Sequence, residues 1–167
     1  MSFIKQYDRL FVATFGLVNL IRGGGGIIEL LLTLGGGSAK SMALDGAAAL
    51  MGISSLFHLC ILMASGIGLL ARRPFGWKLS ILFHTNEVAK LGAAFLIAAL
   101  SGGSAAAVRM STEILVQMTW ALFSLLVFLM KPIAEICRID GKRIGVAAIP
   151  WVLLGITLAT VKLYLIY

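Results

Sequence analysis

The sequence predicts an all-α membrane protein: one domain spanning residues 1–167, built as a bundle of five transmembrane helices, with the amino terminus cytoplasmic and the carboxyl terminus external. Three observations carry this expectation. Hydrophobic residues make up 60% of the chain and charged residues 13%, whereas a soluble domain averages about 25% charged. The apolar residues gather into long runs at about 10–34, 46–70, 79–100, 112–130 and 144–167, and about 20 such residues cross a bilayer as a helix. The cations between the runs also fall unevenly. Lys5, Arg9, Arg72, Arg73, Lys78, Lys131, Arg138, Lys142 and Arg143 lie on one side, against only Lys40 and Arg109 on the other. Cation-rich loops stay cytoplasmic. The same rule accounts for the net charge of +7 without nucleic acid as a partner.

Residues 1–9 (MSFIKQYDR) form an amphipathic lead, read here as the entry to a retained first helix and not as a signal peptide. The first span places Asn19, Arg22, Gly26, Glu29 and Thr33 on one face at helical spacing. Its run Gly23, Gly24, Gly25 and Gly26 has two readings. Small residues admit a neighbouring backbone at close range, or they favour a broken helix of the kind that marks transporter sites. Residues 35–45 read as a flexible loop. The second span carries His58 near its middle, with Ser54, Ser55 and Ser65 on the same side. A basic turn follows, with Pro74 ending the preceding helix and Trp77 suited to the headgroup interface. This hairpin, GIGLLARRPFGWKLS, resembles in a general way those of small bacterial multi-spanning proteins. The resemblance implies a bacterial inner (plasma) membrane and nothing about function.

The third span organises the rest. It is long enough to cross a bilayer, yet it holds His84, Thr85, Asn86, Glu87 and Lys90 near its middle. A charge at the bilayer centre costs about 2.5–3.5 kcal/mol on insertion scales, so such groups face a protein interior. At about 100° per residue, His84, Asn86, Glu87 and Lys90 share roughly half the helix circumference. Residues 101–111 read as a small-residue loop. The fourth span sets Glu113, Gln117, Trp120 and Ser124 in one stripe, and the fifth contains Pro150, Trp151 and Lys162.

At about 1.5 Å rise per residue, Arg22, His58 and Glu87 lie at similar depth, while Glu29 and Lys162 fall roughly 10 Å further out. The expected pairs are therefore Arg22 with Glu87, and Glu29 with Lys162 or Lys90. Such groups either lock helix packing as buried ion pairs or line a proton or ion path. The histidines His58 and His84 on adjacent spans are the residues that a haem or another pigment would require, although their depths differ by several ångströms. No metal-ligand set and no activated nucleophile is present, so the chain is expected not to be an enzyme. A small chain with polar helix faces and short loops is expected to serve as an accessory or scaffolding subunit among other membrane subunits. The competing class is a small proton, ion or solute transporter or channel acting as a homo-oligomer.

Overall fold

The computed structural model describes residues 2–33, 46–100 and 105–166, with side chains described at 7–33, 52–97, 100 and 114–164. Among the described residues the chain is all-helical, with six helices and no strand: α1 (Ser2–Thr33), α2 (Gly46–Leu70), α3 (Pro74–Leu100), α4 (Ala105–Phe128), α5 (Lys131–Ile136) and α6 (Ile144–Ile166). Three of them contain stretches long and apolar enough to cross a membrane: Tyr7–Thr33, Gly52–Leu70 and Ile144–Tyr164. In α4 (24 residues) the described stretch Ile114–Phe128 is also apolar, and the polar residues of α3 dilute its hydropathy. Large apolar side chains cover the outside, including Ile21, Leu32, Ile53, Val146 and Leu153. That exterior suits contact with a lipid bilayer.

Several boundaries differ from the sequence expectation. The amphipathic lead is continuous with α1, because nothing between Ser2 and Leu10 breaks a helix. Residues 105–111, expected as loop, begin α4 instead. The alanine run Ala105–Ala107 starts it, alanine being the strongest helix former. The connection after α4 folds a short helix of its own, α5, with Pro132 in its first turn, where a missing N–H costs nothing. The loop expected at 35–45 lies outside the described residues.

Helix α3 is central, packing against α2, α4 and α6, while α1 lies along α2 and crosses α5. The tightly packed core sits at one end of the bundle, beside the α2–α3 turn and the α4–α6 connection. There Phe15, Leu69, Trp77, Phe128, Ile133 and Ala148 are buried together. Trp77 is 0% exposed, which corrects the expectation of a headgroup-facing ring. Its indole N–H donates to the Phe128 carbonyl at 2.7 Å. That carbonyl is one of those a helix leaves unsatisfied at its carboxyl end, so the ring is drawn inward to cap α4.

Two glycines let α2 and α3 turn tightly. A Cβ on Gly76 would collide with the Gly68 and Leu69 backbone. The connection itself is a Schellman motif, with the Arg73 N–H bonded to Gly68 O at 2.8 Å and the Arg72 N–H to Leu69 O at 2.9 Å. Arg72 sits at φ 52°, and Arg138 at φ 62° makes the matching turn after α5. Both positions normally take glycine. The two cysteines are free. Burial pushes the Cys137 thiol up to about 11, so it stays protonated and inert.

Candidate functional site: the polar centre of the bundle

Helix α1 approaches α2 through glycine. A Cβ on Gly23 would lie 2.7 Å from Met63 N, one on Gly66 would lie 2.6 Å from Gly16 O, and one on Gly26 would meet the Leu59 side chain. Gly24 and Gly25 face open space, and α1 runs unbroken through all four glycines. Close packing thus accounts for Gly23 and Gly26, and the broken-helix reading has no counterpart. Gly16, which the sequence reading passed over, belongs to the same contact. Its spacing of seven residues from Gly23 was the available signal. Between these contacts, the buried Asn19 amide donates to Ser65 Oγ at 3.0 Å, and the Ser65 hydroxyl donates to Leu62 O at 2.8 Å.

Further along α3 lies the charged cluster. Glu87 Oε1 accepts from His58 Nε2 at 2.8 Å and from Lys90 Nζ at 2.6 Å. Lys90 reaches it as the i+3 neighbour on the same helix, and His58 reaches it across the α2–α3 contact. Their side chains are 20%, 19% and 21% exposed for His58, Glu87 and Lys90, so the carboxylate is screened from its surroundings by both partners. The His58 ring also packs on Phe83, with centroids 4.4 Å apart. On the α6 side, Asn86 donates to Gly155 O at 3.2 Å. A Cβ on Gly155 would come within 2.9 Å of Leu82 O, which is why α6 can present its carbonyl to Asn86.

The pairs expected from depth do not form. Among the described residues, no ion pair involves Arg22, Glu29 or Lys162. Arg22 borders the same cavity as Glu87, but it arrives on α1, which packs on α2 and α5 and not along α3. Arg22 and Glu29 are exposed, as is Gln117. The Glu113 side chain lies outside the described residues. Asn19, Arg22, Gly26, Glu29 and Thr33 were expected to share one face, and of these Asn19 is buried deeply while Arg22, Glu29 and Thr33 are exposed. The α1–α2 glycine contact sets the rotation of α1 and turns the rest to its flank.

Two cavities flank the cluster. One, of about 50 Å³, lies between α2, α3 and α6 and is lined by Ser54, His58, Asn86 and Lys162. The other, of about 260 Å³, lies between α1, α3 and α4 and is lined by Arg22, His84, Glu87, Gln117 and Trp120. The His58–Glu87 hydrogen bond joins the wall of one to the wall of the other. His84 is 2% exposed. Its ring stacks on Phe128 at 5.7 Å and meets Phe83 edge-on at 5.2 Å, and neither ring nitrogen has a hydrogen-bond partner. His58 Nε2 is held by Glu87, and Phe83 packs on both imidazole rings. Among the described residues, no cluster of three or more His, Cys, Asp or Glu side chains is placed to hold a metal ion.

Comparison of this chain with protein-family models, with characterised proteins and with solved structures finds no match.

Proposed function

We propose that this chain is a non-enzymatic integral membrane protein of five spans that serves as an accessory or scaffolding subunit of a larger membrane complex. The observation that carries the reading is the exposure of Arg22 and Glu29 on the flank of α1, inside a stretch apolar enough to cross a bilayer. Charges at such depth face protein or water, and among the described residues both side chains stay exposed. A neighbouring chain supplying complementary groups would cover them. The proposed setting is a bacterial inner membrane, with the cation-rich turns and the packed core on the cytoplasmic side. A reporter fused after Tyr167 should then read as external, and one placed at Gly141 as cytoplasmic.

The direct test is native mass spectrometry of the tagged chain extracted gently from its own membrane. The reading expects a different chain at fixed stoichiometry, lost when Arg22→Leu and Glu29→Leu are combined. Recovery of only the 17.8 kDa chain or its multiples would overturn it. A second reading, a small homo-oligomeric proton or ion transporter, draws on one specific observation: the hydrogen bond from His58 to Glu87 that connects the two cavity walls. It expects proton or ion flux from the chain reconstituted alone, abolished by Glu87→Gln.

A further inference from the structure

The larger cavity has features that the subunit reading does not use. We propose that it binds the head of a lipid-soluble quinone, a flat, uncharged ring with opposed carbonyl oxygens, entering sideways from the bilayer between α1 and α4. The size is suitable: about 260 Å³, where a cavity of about 150 Å³ already accepts benzene. The entrance is lateral, because Arg22, Val116 and Gln117 on its rim are exposed and Trp120 is 47% exposed. Trp120 and Phe83 supply aromatic walls against which a flat ring can stack.

The polar lining is rich in donors. Arg22 on α1 and Gln117 on α4 bring guanidinium and amide donors to the rim, and His84 on α3 adds a buried imidazole to the lining. A ligand answering them must present acceptor oxygens in more than one direction, as opposed carbonyls do. Glu87 on the same wall is already engaged by His58 and Lys90. Depth selects for neutrality, since the lining residues fall midway along their helices. An amphiphile with an ionised head anchors at the headgroup region, and a charge carried to mid-membrane is costly. A neutral carbonyl ring reaches that depth freely.

His84 is the internal sign of a missing partner. A buried polar group is normally hydrogen-bonded, yet both of its ring nitrogens are covered and unpaired. A half-turn about Cβ–Cγ exchanges Nδ1 with Cδ2 and Nε2 with Cε1. It leaves the ring plane, and hence the stack on Phe128, unchanged. The half-turn thus decides which ring atoms lie toward the cavity that His84 lines, and a bound carbonyl would favour the orientation that offers it a nitrogen.

The test uses the full chain in phosphatidylcholine nanodiscs, titrated with decyl-ubiquinone and followed by tryptophan quenching. Decanol serves as the tail control and oleate as the carboxylate control. The proposal expects saturable quenching that Trp120→Phe largely removes while Trp77 and Trp151 remain. Gln117→Leu, on an exposed position, should weaken binding about tenfold, as the loss of one hydrogen bond does. His84→Leu should weaken it at least as much, and His84→Gln should restore part of the loss. Should His84→Leu fail a thermal-melt check for folding, Gln117→Leu and Trp120→Phe decide the matter. Linear, unsaturable quenching that is equal in all variants would overturn the proposal, as would saturation by oleate but not by the quinone. Neither result depends on whether a partner chain co-purifies.

Discussion

The two ends of α3 live in different environments. At the turn with α2, Trp77, Ser80 and Ile81 are each 0% exposed, with Trp77 and Ile81 inside the packed core and carbonyls taking the polar hydrogens. Ten residues on, Glu87 and Lys90 are about one-fifth exposed and are flanked by cavities on both sides. One end solves its polar groups with backbone: the indole of Trp77 and the hydroxyl of Ser80 both donate to carbonyls. The other pairs its charges through side chains, although Asn86 still reaches a backbone carbonyl, and leaves His84 without a hydrogen-bond partner. A region held by backbone contacts specifies one packing, because main chain cannot swing away. A region held by side-chain pairs around open space can exchange partners, which is what a binding site or a subunit contact requires.

The comparison breaks first at Gly76. A Cβ there meets Gly68 and Leu69 backbone atoms, so Gly76→Val should cost about 3 kcal/mol or more through overpacking that no rotamer relieves. Reversible unfolding in mixed detergent would measure it, and a cost under about 1 kcal/mol would show that the tight turn is not what organises this end. Gly24→Leu, by contrast, enters open space. It should stay within about 0.5 kcal/mol of the parent, whereas close packing at all four glycines would have made it overpack.

Trp77→Phe keeps the ring and removes the donor. The Phe128 carbonyl then stays buried and unpaired, at a cost of about 1–3 kcal/mol. At the polar centre the expected effects are smaller, because exposure weakens the pair. A cycle of Glu87→Met, Lys90→Met and the double variant should give a coupling of about 1 kcal/mol, with the double variant recovering part of each single loss. A coupling near zero would place the ion pair in a water-like environment and sharpen the contrast further. The remaining effect is a gain. Arg138 sits at φ 62°, so Arg138→Gly should stabilise the chain by up to about 1 kcal/mol by relieving the left-handed cost. The same melts would register no gain if the Arg138 side chain made compensating contacts.

Much of the architecture was legible in the residues themselves. The helices at 46–70 and 144–166 fall where uninterrupted apolar runs placed them, and the polar residues of α3 do collect toward the interior. What escaped the sequence were events at the ends of elements. The alanines before Arg109 carry α4 backward into the supposed loop, and Trp77 turns inward to reach a carbonyl 51 positions away in the chain. Neither partner is visible in local periodicity. At the candidate site, Glu87 and Lys90 were legible as neighbours because they share one helix. The contact of His58 with Glu87 was not, because it depends on how α2 is rotated against α3.

By itself the sequence determined an all-helical chain with apolar runs interrupted by charge, since hydropathy and helical spacing are local properties. Only the tertiary structure decided which polar groups meet. Each residue turns a helix by about 100°, so a shift of one position in contact redirects every side chain on it. For α1 that choice is made by Gly16, Gly23 and Gly66, whose missing side chains admit the facing backbone, and by the hydrogen bond from Asn19 to Ser65. Those contacts set Arg22 at the cavity rim without an ion pair among the described residues, and leave Glu87 to His58 and Lys90.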